Sequence, residues 1–177
     1  MENVKSVWGN RFIIAAIIQG GIITAVALII VGIQVTFNEV NVIQFLSLSF
    51  EGPAKWFFIG TIFYLILVIA IAVTAVFYNH LEINLSRKFS GIRRILAWIH
   101  LIGMNVGGTG ATVLMIFAGL AASGVLSVFA EGHLGKQNAT ILDAFIAPIA
   151  SFIGILAIGV ICGGIGYLLA YKSKMQR

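Results

Sequence analysis

The sequence predicts an all-α, polytopic membrane protein: a four transmembrane helix bundle with one short interfacial segment on its outer side. Three observations predict it. Of 177 residues, 60% are hydrophobic and 10% charged, and mean hydropathy is +1.06; an ordinary soluble domain carries about 25% charged residues because it needs a polar exterior. The charges are clustered and leave four long uncharged intervals, each exceeding the ~20 residues a helix needs to cross ~30 Å of hydrocarbon. Basic residues are divided unequally among the segments between those intervals, as crossing helices require.

The first span covers 12–37. It is longer than the 7–15 residues of a signal-peptide core and lacks a small-residue cleavage site after it, so it is expected to stay as a signal anchor. Val40 to Phe50, VNVIQFLSLSF, is apolar but too short to cross, and Gly52-Pro53 follows it. It is expected along the outer interface as a short helix or turn, with Pro53 near the start of the second span, where proline is tolerated. The second span covers 56–80. A basic turn, Glu82 to Arg94, leads into the third, 95–127. The uncharged interval around that third span, Ile95 to Ala130, would run about 54 Å as a helix, more than one crossing, so the end near Ser123 to Phe129 is expected to project or to tilt strongly. The polar loop Glu131 to Asp143 should be solvated, and the fourth span covers 144–171. The whole chain reads as one integral membrane domain. Trp8, Trp56 and Trp98 fall near span ends, as interfacial anchors do.

Four crossings put Lys5, Arg11, the turn's Arg87, Lys88, Arg93 and Arg94, and the C-terminal Lys172, Lys174 and Arg177 on one side, against Lys55 and Lys136 opposite. The positive-inside rule then places both termini in the cytoplasm, and the chain is expected in the cell membrane. The net charge of +5 is absorbed by topology, and no nucleic-acid partner is expected. The inner turn should attract anionic lipids, at roughly 1 kcal/mol per charge near the surface.

Helices in lipid associate through close backbone approach and a few hydrogen bonds. Small residues recur accordingly: Gly103, Gly107 and Ala111 in the third span; Gly159, Gly163, Gly166 and Ala170 in the fourth; Ala16, Gly20 and Thr24 in the first. These faces are expected to pack the four helices, with some left to dock onto another subunit. Gln19 and Asn105 are expected to cross-link helices or meet a partner.

Carriers and proton relays need ionisable side chains at membrane depth, and the spans 12–37, 56–80, 95–127 and 144–171 hold no Asp, Glu, Lys or Arg. The lone Cys162 allows no intrachain disulfide or multi-thiolate metal site. Gly107-Gly108-Thr109-Gly110 lacks the strand and lysine of a phosphate loop and reads as helix packing. No paired carboxylates, zinc-protease helix or hydrolase elbow is present, so no catalytic residue and no metal site are assigned. Of three histidines, His80 and His100 share a side and His133 lies in the outer loop. His100 is the one candidate cofactor-binding residue: imidazoles on neighbouring helices can hold a heme b axially. The competing role is a hydrogen-bonded or partner-contacting His100. Asn138-Ala139-Thr140 forms a glycosylation sequon.

From Tyr78 through Gly119, YNHLE closes one helix, a basic turn follows, and LAWIHLIGMNVGG opens the next. This resembles a helix pair of heme–copper terminal oxidase subunit I and covers about a quarter of the chain. The adjacent histidine pair and histidine-tyrosine motif of that family's copper site are lacking, so no ligand carries over. The resemblance implies a small subunit of a terminal oxidase or an ammonia/methane monooxygenase type of complex, with redox centres in other chains. The expected function is thus a non-catalytic accessory subunit of a hetero-oligomeric membrane oxidoreductase, its partners being other membrane subunits. A b-heme electron carrier and a small channel or transporter are the alternatives.

Overall fold

A computed structural model describes residues 6–37, 41–42, 46 and 52–173, and among these every regular element is helical. The all-α, four-helix bundle class holds. Four helices are long and apolar enough to cross a membrane: α1, Val7–Thr36; α2, Lys55–Asn84; α3, Ile92–Ala122; and α4, Ala139–Lys172. The protein is an integral membrane protein by that measure.

Each helix is longer than its uncharged interval at one end or both. Arg11, Glu82, Arg93, Arg94, Asp143 and Lys172 all lie within helices, near their ends. A charge ends the stretch that suits hydrocarbon, while backbone hydrogen bonding continues until a turn stops it. The sequence boundaries therefore mark the apolar stretch and not the helix.

The largest departure is at the end of the third span. No straight helix projects through 127: α3 stops at Ala122, and Gly124 takes φ +81° in the turn that follows. A five-residue helix, Ser127–Glu131, comes next and is closed by Gly132 at φ +74°. The left-handed corner is cheap for glycine, and a Cβ on Gly124 would strike the Gly135 carbonyl. The carbonyls freed by the break find donors in the following loop, with Gly135 N–H to Gly124 O at 3.0 Å and Asn138 N–H to Ala122 O at 2.9 Å. Most of the Val40 to Phe50 segment lies outside the described residues; Val42 and Leu46 are helical and buried. The loop from Glu131 to Asp143 is mostly exposed, as expected, and Asn138 caps its 3-10 turn by accepting from Thr140 N–H.

The chain forms two compact units, and all four helices contribute to both. One is built on Ile66–Thr109 with the chain up to Gly20 and from Ile153 onward; the other combines Gly21–Leu65 and Gly110–Phe152. In the second unit, α2 and α3 approach through glycine: Gly60 sits on Met115 and Ile116, Gly119 sits against the Phe57 backbone, and Tyr64 is fully buried. The first unit has a core of Trp8, Phe12, Leu67, Ile71, Tyr78 and Met104. Trp8, expected as an interfacial anchor, is only 2% exposed. Its indole packs against Tyr78, Phe89 and Trp98, because α1 begins five residues before its apolar interval and carries Trp8 into the core.

Candidate functional site

The polar chemistry of the described residues concentrates in the first unit. It starts with a helix end. The first amides of any helix lack intrahelical acceptors, and α1 meets this need twice. Ser6 Oγ accepts from Gly9 N–H at 3.0 Å, the usual geometry of a serine cap. Glu82, from the far end of α2, accepts from Ser6 Oγ at 2.5 Å, Trp8 N–H at 2.8 Å and Gly9 N–H at 3.3 Å. An anion at a helix N-terminus is favoured by the helix dipole as well. The last turn of α2, His80–Asn84, is a π-turn. One extra residue per turn shifts side chains around the axis, and Glu82 sits within this turn.

Next to this cap, the Arg11 guanidinium lies 4.5 Å from the Trp8 ring centre and 4.6 Å from that of Trp98. Two indole faces thus hold one cation by cation–π attraction. Arg11, Glu82, Arg87, Lys88 and Arg94 line a cavity of about 490 Å³ with Trp8 and Phe89 on its apolar wall. Arg87 is turned inward: its Nε and Nη1 are buried and have no hydrogen-bond partner. The residue before it, Ser86, has φ +49°, uncommon for a residue with a side chain, and Arg87 N–H bonds Leu81 O at 2.9 Å.

His100, the candidate cofactor residue, is buried on α3, and its Nδ1 lies 3.2 Å from the Tyr78 hydroxyl. Its ring packs on Phe12 and Tyr78 and lies against Gly163 of α4, where a Cβ would collide with the imidazole. His100, Tyr78, Thr74 and Tyr167 border a groove of about 470 Å³ with an otherwise aliphatic and aromatic lining. His80 is exposed and bonds Asn84 at 3.0 Å. The structure therefore gives His100 a tyrosine neighbour and sets no second imidazole against it. Met104, one turn on, has its sulfur 3.8 Å from Thr74 Oγ1. Among the described residues, no three His, Cys, Asp or Glu side chains gather in a metal-binding cluster.

The expected cross-link between amides is formed: Gln19 Nε2 donates to Asn105 Oδ1 at 3.0 Å, and Asn105 Nδ2 donates to Leu101 O at 2.8 Å. The small-residue faces also meet neighbours. Gly103 packs directly on Gly159, Gly163 on His100, Gly166 on Leu96 and Gly108 on Leu67. Gly103–Gly108 is itself a π-helical segment of α3, which no spacing rule disclosed. Sequence reasoning also missed Glu82 as a cap and Arg87 as an inward-facing cation; the Ser6-x-x-Gly9 start was the one available hint of a cap. No family model, curated protein or solved structure matches the chain.

Proposed function

We propose that this chain is a membrane-embedded scaffold, a non-catalytic accessory subunit whose outward small-residue positions receive helices of a larger hetero-oligomeric complex. The observation that carries the reading is the division of its helical glycines. Gly60, Gly103, Gly108, Gly110, Gly119, Gly159 and Gly163 each sit where a Cβ would collide with a neighbour, whereas Gly21, Gly32, Gly154 and Gly164 have nothing within 4 Å. Glycine inside a helix is about 1 kcal/mol less favourable than alanine, and in lipid its compensating use is close backbone approach to another helix. Gly21 and Gly32 are eleven residues apart, about three turns, so they share a face of α1, with exposed Ala25 between them.

The basic end is assigned to the cytoplasm on the positive-inside rule; both ends of the described chain and the Glu82 to Arg94 turn belong to the same unit. The type of complex, a terminal oxidase or monooxygenase assembly, rests on the Tyr78 to Gly119 likeness alone. The test is isolation from the native membrane in mild detergent and identification of the polypeptides that co-migrate. Gly21→Leu and Gly32→Leu should remove those partners while leaving the chain helical. Recovery of the wild type as a lone, stable monomer refutes the scaffold. A Soret band that vanishes in His100→Ala would instead establish the electron-carrier reading.

A further inference from the structure

We infer that the cavity among Arg11, Arg87, Lys88 and Arg94 is a binding site for a phosphate-bearing anion, supplied by the headgroup of an anionic phospholipid. The inference uses the membrane-spanning fold and does not depend on a partner subunit. Four cations line this cavity beside one acid, Glu82. That acid is already engaged by the Ser6 hydroxyl and the Trp8 and Gly9 amides. Among the described residues the one ion pair is His133 with Glu131, far along the chain. Among the described residues, four positive charges thus face one negative charge, and none of the four is in an ion pair.

Arg87 makes the case specific. A basic turn serving topology alone would leave its guanidinium in solvent, yet two of its nitrogens are buried without an acceptor. Buried charged donors need partners; Arg87 also lines the cavity, and a turn of its side chain toward a bound phosphate would offer the guanidinium fork bidentately. The unusual backbone at Ser86 is the local distortion that precedes the inward turn, and strain of this kind persists where the surroundings enforce it. Arg11 is held between two indoles, so its charge is positioned before a ligand arrives. A lipid is the source favoured over a soluble phosphate because Trp8 and Phe89 give the cavity an apolar wall, beside the start of a helix built for hydrocarbon.

The experiment is native mass spectrometry of the purified full chain in neutral detergent, titrated separately with phosphatidylglycerol, phosphatidylcholine and inorganic phosphate. One phosphatidylglycerol should be retained in preference to phosphatidylcholine. Arg87→Gln should weaken that retention about tenfold, the scale of one hydrogen bond to a charged group. Arg93→Gln removes the same charge from the same turn without lining the cavity and should leave retention unchanged. If Arg87→Gln lowers helicity, the exposed Lys88 supplies the second variant, Lys88→Gln, with a smaller loss. Equal losses in Arg87→Gln and Arg93→Gln, or equal retention of both lipids, would overturn the site in favour of diffuse surface attraction. Inorganic phosphate that binds alone and displaces the lipid would uphold the anion site and overturn the lipid as its source.

Discussion

Alanine at Gly103 or Gly159 separates close backbone packing from mere helix propensity. A Cβ at position 103 would lie 2.5 Å from the Gly159 Cα and 3.0 Å from the Ile155 carbonyl oxygen. One at 159 would lie 2.7 Å from the Gly103 Cα and 3.0 Å from its carbonyl carbon. Carbon atoms prefer about 3.5–4.0 Å, so α3 and α4 must part locally by about 1 Å. The atoms struck are backbone, and no rotamer change relieves them. Overpacking of this sort costs about 1–3 kcal/mol, offset by up to about 1 kcal/mol of helix propensity gained by replacing glycine. Each single variant should therefore lose up to about 2 kcal/mol. The double variant should lose less than the sum, because helices already parted for one methyl accommodate the other. Gly21→Ala and Gly32→Ala are the controls: with nothing within 4 Å, they should gain up to about 1 kcal/mol in the isolated chain. The assay is helicity by far-ultraviolet circular dichroism during denaturing-detergent titration of mixed micelles. If Gly103→Ala stabilises as much as Gly21→Ala, the close approach of α3 and α4 is wrong.

Other variants address the site directly. Glu82→Ala removes the acceptor for Ser6, Trp8 and Gly9 and should cost about 1–2 kcal/mol, the scale of a helix cap, with faster amide exchange at Trp8 and Gly9; unchanged exchange there would exclude the cap. A double-mutant cycle of Gln19→Leu and Asn105→Leu should return a coupling of about 0.6 kcal/mol and no more than about 1.7 kcal/mol, the range for interhelical bonds in lipid; zero coupling would contradict the amide contact. Gly163→Ala should displace the His100 ring and lose about 1–3 kcal/mol, with much of that recovered in the double variant with His100→Ala; no recovery would mean that the imidazole is not what the methyl meets. In a Cys162→Ala background, a membrane-impermeant thiol reagent should label Ser86→Cys only from the cytoplasmic face and His133→Cys only from the other. Labelling of both from one face would refute the four-crossing topology.

The four helices were legible because composition and clustered charge state the solvent directly, and a backbone in that solvent has little choice but to be helical. Gln19 and Asn105 were legible for the related reason that an amide within an apolar run requires a partner. The Gly103, Gly159 and Gly163 faces were visible as faces. Their neighbours were not, because a small-residue stripe defines one side of a helix and leaves open which helix lies beyond it. Glu82 was read as part of a basic turn, since nothing in its neighbourhood says that the turn folds back onto the start of α1. The packing of Trp8 among other rings was not legible, because distance from a charge does not distinguish a ring facing lipid from a ring buried against other side chains. His100 was singled out by its residue type and place in the third span, but its neighbour Tyr78 belongs to the preceding helix and was quoted only within the Tyr78 to Gly119 likeness. The π-turns leave no mark in hydropathy, as an extra residue per turn changes azimuth and not composition.

The cap and the cavity are connected through charge. The start of α1 must satisfy its first amides, and Glu82 does so across the chain. These bonds leave the carboxylate charged, so one negative charge stands against the four positive ones around the cavity. Arg11 meets that deficit with two indole faces, which attract a cation without cancelling its charge. Arg93 bonds Ser90 at 3.5 Å, an exposed contact, and water can solvate the rest of it. Arg87 has neither remedy, being buried at two nitrogens that no protein acceptor reaches. Positive residues placed only to orient the chain would all resemble Arg93, since the positive-inside rule depends on which side a charge occupies and is indifferent to how it packs. The contrast between Arg87 and Arg93, five residues after Glu82 and three after Ser90 respectively, is what distinguishes a bound-anion site from a topology signal within a single turn.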